Sequence, residues 1–550
     1  MMSNKDISRT LKLLASLLEL HDENPFKVKS VQNASFQIDR LGYALEGMSE
    51  VEILTIPGIG KGMAQKIHAL LQTGSEDEFD ALLQSTPVGL VEMLRIKGLG
   101  AKKVRTLWKE LGIESPGELL YACNENRLVE LSGFGAKTQE NIRQAIEFSH
   151  QNQGKLHYAS AQLLADQVIH KLQAVFTGIS IEYTGALRRQ CEVIEHIELL
   201  ILHNFEMRSC EEEGIFKIEQ SEGNNWQYLE SVSGQVIVLH LAAEIEYGSQ
   251  LIVTTGPETF VSSIFNDREP LQEKSEKDLF ETNKIPFIEP YLRDWPLEDA
   301  LPLQSNERIQ LGDFRGILHC HSTWSDGVHS LEEMADAVKA MGMVYFGICD
   351  HSKSAGYAGG LSIERVAQQH SEIDRLNRKY SDFKIYKGIE SDILGDGSLD
   401  YPEEVLRSFD FIVASVHSVL RMDEKRATER LIKAVENPFT TILGHPSGRL
   451  LLSRPPYPIN YDKLIDACAA NGVSIELNAH PYRLDLDWRW IPQCMNKGVK
   501  ISINPDAHRV EGLGDIRYGL LVAQKGGLTK EFLFNSMEKD AFELFLSSKK

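Results

Sequence analysis

Cysteine is scarce: seven residues in 550, at positions 123, 191, 210, 320, 349, 468 and 494, with no Cys-x-x-Cys among them. That excludes a zinc ribbon and gives no disulfide framework. No apolar run approaches the ~18 residues of a membrane span. The segment that opens the chain has helical apolar spacing, no long uncharged stretch and no small-residue cleavage site, so a secretory signal is not expected. Net positive charge is missing too. Fifty-eight Lys and Arg against 79 Asp and Glu give −21, which excludes a uniformly basic nucleic-acid binder. What is present is 42% hydrophobic and 25% charged, an ordinary globular composition. At roughly 150 residues per domain the length argues for three or four folded units. The expectation is a cytoplasmic protein that makes no use of a membrane.

The acid is unevenly placed. Residues 1–150 carry 17 basic and 20 acidic residues (−3), residues 151–300 carry 11 and 25 (−14), and the remaining −4 falls on 301–550. The first region also contains a repeat. Ile56-Pro-Gly-Ile-Gly60 precedes KGMAQKI, Ile96-Lys-Gly-Leu-Gly100 precedes AKKVRTL, and Leu131-Ser-Gly-Phe-Gly135 precedes AKTQENI. Two glycines around one apolar residue permit a tight turn and a close backbone approach, and the second glycine opens a helix whose free N–H groups attract phosphate. These segments resemble the helix-hairpin-helix motif, which grips DNA backbone without reading sequence. The expected DNA contacts are Gly58, Gly60 and Lys61, then Gly98, Gly100 and Lys102, then Gly133, Gly135 and Lys137. A packing corner would explain one such turn as well, but three copies, each followed by a lysine, favour DNA.

Glu23-Asn-Pro-Phe-Lys-Val-Lys29 resembles the opening of the small N-terminal domain of family-X DNA polymerases. In that family the domain sometimes carries a 5′-deoxyribose-phosphate lyase lysine, and Lys66 falls at the matching position. It would form a Schiff base only if its pKa were lowered. The alternative is a lysine that binds phosphate. The middle third resembles a family-X palm without its chemistry. Those palms carry Gly-Ser-x-Arg-Arg-Gly, an Asp-x-Asp strand and a third Asp, which hold two Mg²⁺ ions. Here the stretch is Gly185-Ala-Leu-Arg188-Arg189, and His196-x-Glu198 stands for Asp-x-Asp. Counting back from Thr255-Gly256, the third position is Val238. Valine cannot bind a metal, and a neutral imidazole does not replace a bridging carboxylate on a hard cation. Templated polymerisation is therefore not expected. An unrelated α+β domain is the alternative.

The last 240 residues repeat apolar, β-branched strand patterns about every 30 residues with helical segments between, which argues for a parallel α/β barrel. The strands are Gly316-Ile-Leu, Val344-Tyr-Phe-Gly-Ile, Lys384-Ile-Tyr-Lys-Gly-Ile, Phe411-Ile-Val-Ala-Ser-Val, Thr441-Ile-Leu, Val473-Ser-Ile-Glu-Leu and Val499-Lys-Ile-Ser-Ile. At or just beyond their C-terminal ends stand His319, His321, Asp326, His351, Glu390, His417, His445, Asp506 and His508, where α/β barrels place active sites. Imidazoles and carboxylates without thiolate suit Zn²⁺, Mn²⁺ or Fe²⁺. Nine ligands are too many for one ion and right for two or three.

With Thr323-Trp-Ser-Asp-Gly327, Gly388-Ile-Glu-Ser-Asp, Ser415-Val-His-Ser418, Gly444-His-Pro-Ser-Gly-Arg449 and Ile503-Asn-Pro-Asp-Ala-His508, this region closely resembles the PHP (polymerase and histidinol phosphatase) domain. Ile317 departs from the Asp usual in polymerase-linked members, but it is not a ligand. The whole chain resembles the bacterial family-X DNA polymerases with a C-terminal PHP domain. The resemblance implies a multidomain chain. Residues 1–150 form an all-α helix-hairpin-helix region. Residues 151–300 form a degenerate α+β nucleotidyltransferase-like palm, 301–312 a linker, and 313–550 a seven-stranded distorted TIM-like PHP barrel. It implies nine residues that are both metal ligands and catalytic, with metal-dependent 3′–5′ exonuclease activity in DNA repair. Arg449, Arg454 and Arg483 are the expected phosphate contacts, with salt bridges as their alternative role. The expected partners are gapped or 3′-ended duplex DNA and single strands, with a separate DNA polymerase or ligase acting alongside a monomeric, nucleoid-associated protein. A small-molecule phosphoesterase of the histidinol-phosphate type leaves the hairpins without a job. A non-catalytic DNA scaffold leaves the ligand set without one.

Overall fold

The computed structural model describes residues 2–549 apart from 97, 125–126, 129–130, 132, 153, 177, 203–217, 223–224, 230–234, 266–271 and 305–307. The chain divides into two compact units, Met1–Gln153 and Gly154–Lys550. Six cysteines are free thiols, and Cys210 lies outside the described residues. No helix among the described residues is long and apolar enough to cross a membrane.

The first unit is helical. Ser3 caps Asn4–Leu20 in a reciprocal box with Asp6, and Asn24 caps Pro25–Asp39, whose leading proline fits the first turn. Two cores follow from the apolar spacing. One gathers Ile7, Leu11, Leu14, Val31, Ile53 and Ile67. The other gathers Leu90, Met93, Val104, Leu107, Leu119 and Ile142.

The second unit begins with β1 (Leu156–His157), β2 (Ser180–Thr184), β3 (Val193–Ile194), β4 (Ile197–Leu202), β5 (Ile218–Glu222), β6 (Asn225–Leu229) and β7 (Val236–Ala242). Strands β2, β4, β7, β6 and β5 form one sheet in that order, with only the β4–β7 pair parallel, and β1 pairs with β3. Then come β8 (Gly316–Ile317), β9 (Tyr345–Ile348), β10 (Lys384–Lys387), β11 (Glu390–Asp392), β12 (Val413–Ser415), β13 (Ile442–Leu443), β14 (Ser474–Asn478) and β15 (Ile501–Asn504). These make two all-parallel sheets, β10-β9-β8 and β11-β12-β13-β14-β15. Single bridges continue the pairing between them: His351 with Glu390, and Cys320 with Ala507. Helices such as Leu331–Ala340, Ile363–Lys379, Glu424–Val435 and Tyr461–Asn471 separate the strands in sequence. Strands covered on both faces are buried at every position, as Tyr345–Ile348 and Ile501–Asn504 show.

Buried residues between Tyr158 and Leu239 share one core with the C-terminal strands, while Ile252, Phe260, Phe280 and Ala300 belong to a separate cluster. Tyr158, Val168, Ile197 and Leu239 belong to the same cluster as Phe346, Ile475, Ile503 and Tyr518. The stretch expected as a linker is packed as well: Ile309 is fully buried, and its carbonyl accepts the Gln524 side-chain N–H at 2.9 Å.

Candidate metal centre

Strand alternation explains the first pair of candidate ligands. His319 and His321 are two residues apart just beyond β8, so their side chains share a face, while Cys320 between them is buried in apolar core. The Cys320–Ala507 bridge sets this segment beside Asp506 and His508, and the His351–Glu390 bridge does the same for the ends of β9 and β11. His445 and Asp506 hold left-handed backbone, with φ of 21° and 52°. Side chains rarely adopt that conformation, and it recurs where a site constrains the chain.

The structure brings all nine residues together. Potential ligand atoms converge in three groups: His321, Asp326, His351 and His508; His319, His321 and Asp506; His351, Glu390 and His417. His321 and His351 each belong to two groups, so the three interlock. His445 joins through Glu390, with Nε2 3.0 Å from Oε1. Glu390 also meets His351 Nδ1 at 2.9 Å and His417 Nε2 at 3.2 Å. Asp506 Oδ1 lies 3.0 Å from His321 Nε2, and its other oxygen accepts from Asn478 at 3.0 Å. His321 Nδ1, on a fully buried ring, has no hydrogen-bond partner among the described residues, and Asp326 Oδ1 stands 3.8 Å away, too far for one. A buried imidazole nitrogen left this way, amid carboxylate oxygens and without thiolates, fits a divalent cation.

The sequence reading missed the residues that aim the ligands. Glu476 on β14 is fully buried. It takes His319 Nδ1–H at 2.7 Å and the His445 backbone N–H at 2.8 Å. Asp392 holds His417 Nδ1 at 2.5 Å. Such pairs fix the ring's tautomer and orientation. The signal was present: each is an acid inside an otherwise buried strand. Asp350 accepts from the backbone and hydroxyls of Ser322 and Ser325 and from Gln369, which ties down the turn leading to Asp326.

Electrostatics follow the packing. Burial pushes His321 down to about 3, helped by His508 and His351. Burial also opposes charge on His351 and His417, but Glu390 outweighs it and lifts them to about 10 and about 9. Glu390 and Asp506 stay well below the usual carboxylate range because the surrounding imidazoles outweigh burial. At neutral pH the metal-free cluster therefore holds protons on His351 and His417 that a cation must displace. Cation affinity should rise from pH 6 to 9, with proton release visible as a buffer-dependent heat in calorimetry. A histidine raised above its unfolded value of 6.5 stabilises the fold below that pH and loses this effect as pH climbs through its folded value. The metal-free protein should therefore weaken toward pH 10. Affinity independent of pH over this range would refute protonation of His351 and His417 in the metal-free cluster.

The arginines divide. Arg449 is committed elsewhere. Its guanidinium meets Asp487 at 3.0 Å and Glu192 at 3.3 Å, and also donates to the carbonyls of Arg483 and Leu484. Arg483 Nε lies 3.6 Å from Asp506 Oδ2. Arg454 donates to the Gly448 carbonyl, and burial and the nearby Arg483 charge lower its pKa.

In the first unit, Gly58, Gly98 and Gly133 share the left-handed conformation, with φ of 83°, 90° and 85°. Ile59, Leu99 and Phe134 between the glycines are buried. Gly60 and Gly100 cap Lys61–Thr73 and Ala101–Leu111 with no side-chain bond to the free N–H groups. A Cβ at Gly60, Gly100 or Gly135 would meet nothing within 4 Å, so internal packing does not require glycine there. Lys61, Lys102 and Lys137 are exposed. Lys66 is paired with two carboxylates. Burial alone would lower its pKa, but Glu76 and Glu78, the latter at 2.9 Å, raise it, opposite to what an imine-forming amine needs.

In the palm-like sheet, Glu198 on β4 pairs in register with Val238 on β7, and its carboxylate contacts His240 at 3.2 Å. A Cβ on Gly185 would fall 2.1 Å from Glu198 Oε1, so the carboxylate is packed against that backbone. Arg188 is paired with Glu276 at 2.6 Å and Arg189 with Asp294 at 2.9 Å.

A helix-hairpin-helix domain model matches residues 2–76, a SAM-like helix-hairpin-helix tandem model matches 90–147, and a PHP domain model matches 318–480. A "probable phosphatase" of Acetivibrio thermocellus is 28% identical over 245 residues, covering 42% of this chain and 95% of its own. Another, from Thermoanaerobacter sp. (strain X514), is 30% identical over 171 residues, 29% of this chain and 67% of its own. The "DNA polymerase/3′-5′ exonuclease PolX" of Bacillus subtilis (strain 168) is 33% identical over 568 aligned residues, covering 99% of each chain. Alike along essentially its whole length, the chain belongs to the bacterial DNA polymerase/3′-5′ exonuclease PolX family.

Proposed function

We propose that this chain removes nucleotides from the 3′ ends of DNA during repair, using two or three divalent ions (Mn²⁺, Zn²⁺ or Fe²⁺) held by the nine clustered residues. The observation that carries the reading is the sharing of His321 and His351 between candidate ligand groups, which supports one polynuclear centre. Such ions, when bound, lower the pKa of water and neutralise phosphate charge. The chain's own residues do the aiming. Glu476 and Asp392 hold His319 and His417, Arg483 offers positive charge beside Asp506, and Arg454 lies near Arg483. The two parallel sheets read as arcs of one distorted seven-stranded TIM-like barrel at 313–550, with β10 and β11 counted as one strand interrupted at 388–389. The 151–300 region reads as a palm kept as scaffold. The hairpins of 1–150 hold the DNA backbone. A small-molecule phosphoesterase shares the centre but gives the three hairpins no task.

The test is a 3′-labelled gapped duplex with Mn²⁺, from which the wild type should release labelled mononucleotide at once. Gly60→Ser and Gly100→Ser sharpen it. Serine caps a helix at least as well as glycine, so stability should stay within about 0.5 kcal/mol. Its side chain, however, stands where a phosphate would approach, so DNA affinity should fall several-fold and its salt dependence flatten. Release from the 5′ end, or unchanged affinity in the double variant, would refute the respective half.

A further inference from the structure

Tyr482 is 45% exposed, yet nothing about it is loose. Its backbone N–H donates to His480 Nδ1 at 3.1 Å, and its carbonyl accepts from the Leu451 N–H at 2.7 Å. One side of its ring is stacked on His157, with centroids 4.2 Å apart and planes 28° from parallel. His480 meets the ring edge-on at 5.1 Å. His157 is locked in turn, because its Nε2–H donates to the Leu451 carbonyl at 3.0 Å. Burial lowers its pKa, which keeps the imidazole neutral and flat against the phenol.

The location matters. Tyr482 directly precedes Arg483, whose guanidinium is 3.6 Å from Asp506 in the cluster. His157 comes from β1, so the palm-like region supplies the lower layer of an aromatic stack beside the centre in the PHP domain.

We propose that Tyr482, backed by His157, is a stacking platform for the unpaired base of the nucleotide next to the phosphate being cut. The proposal rests on the nuclease reading and adds to it a base subsite built partly by the palm-like region. The clustered imidazoles, carboxylates and arginines can engage only the phosphate, which says nothing about what holds the rest of the nucleotide. Every base offers a π face, so a rigid aromatic beside a cationic phosphate contact grips any sequence. Rigidity adds to this, since a ring already ordered loses little freedom on binding.

Full-length protein tests this by fluorescence and by turnover. With metal chelated, a single strand bearing 2-aminopurine at the terminal or penultimate 3′ position should be quenched by the wild type and by Tyr482→Phe but not by Tyr482→Ala. Equal quenching by wild type and Tyr482→Ala, or none by either, would overturn the platform. With Mn²⁺, the wild type should prefer a base-bearing end over an abasic one by about 10-fold in kcat/KM, the size of one base stacked on one ring. In Tyr482→Ala that ratio should shrink toward one, with the thermal midpoint and metal content of the variant serving as folding controls. A ratio unchanged by the substitution would also refute it. If the wild type releases no nucleotide from any end, the nuclease reading fails, and the fluorescence experiment judges the platform by itself.

Discussion

His351→Ala and Asp506→Asn should each slow nucleotide release by about a thousandfold or more, while DNA affinity stays within about twofold of wild type. His351 is shared by two ligand groups, so its loss damages both. Asp506→Asn changes no volume and can keep a hydrogen bond to Asn478. It removes the negative charge that faces His319, His321 and Arg483 at 3.6, 3.0 and 3.6 Å. DNA affinity is expected to survive because the hairpins belong to the separate unit Met1–Gln153. The measurements are single-turnover rates, equilibrium binding and metal content by mass spectrometry, all on the same preparations. Wild-type rates in both variants, or active protein free of transition metal, would refute the centre.

The second large effect is an absence: no nucleotide should be added to a gapped primer with Mg²⁺ or Mn²⁺. Two-metal nucleotidyl transfer needs carboxylates on adjacent strands to bridge the ions. Here β4 offers only Glu198 and its register partner on β7 is Val238. Glu198 is also packed against Gly185 and close to His240. The arginine pair is bound to Glu276 and Asp294, not left for a triphosphate. The assay belongs in an Asp506→Asn background, where trimming cannot mask synthesis. Template-directed extension that disappears with Glu198→Ala would overturn this reading.

How much of this was legible from the sequence depends on the range of the physics involved. The clustering of the candidate ligand residues was legible because a parallel α/β pattern puts strand ends on one side, so a His, Asp or Glu after each strand points to a common mouth. Glu390 and His445 needed nothing more. Glu476 and Asp392 were harder, since an acid within a strand announces burial but not which imidazole it meets. Arg449 shows the same limit. Nothing local in Gly444-His-Pro-Ser-Gly-Arg449 reveals that Glu192 would occupy its guanidinium. Lys66 was read as a lysine at a family position, and Glu76 and Glu78 reversed its chemistry. The packed state of Ile309 was also invisible, because its partners lie more than 200 residues onward.

Lys525 is 1% exposed, and its ammonium is neutralised by Asp294, with the Arg189 carbonyl accepting at 2.8 Å. Asp294 and Arg189 lie in the region read as a disused polymerase palm. Stranding such a buried cation costs about 3–5 kcal/mol, a large share of what holds a domain folded. This region is therefore not dispensable to the rest of its unit, whether or not it adds nucleotides. Asp294, Arg189 and Tyr158 are tied to the stability of the C-terminal strands they pack against. Were nucleotide addition lost, selection on the nuclease alone would still preserve the outline of this region.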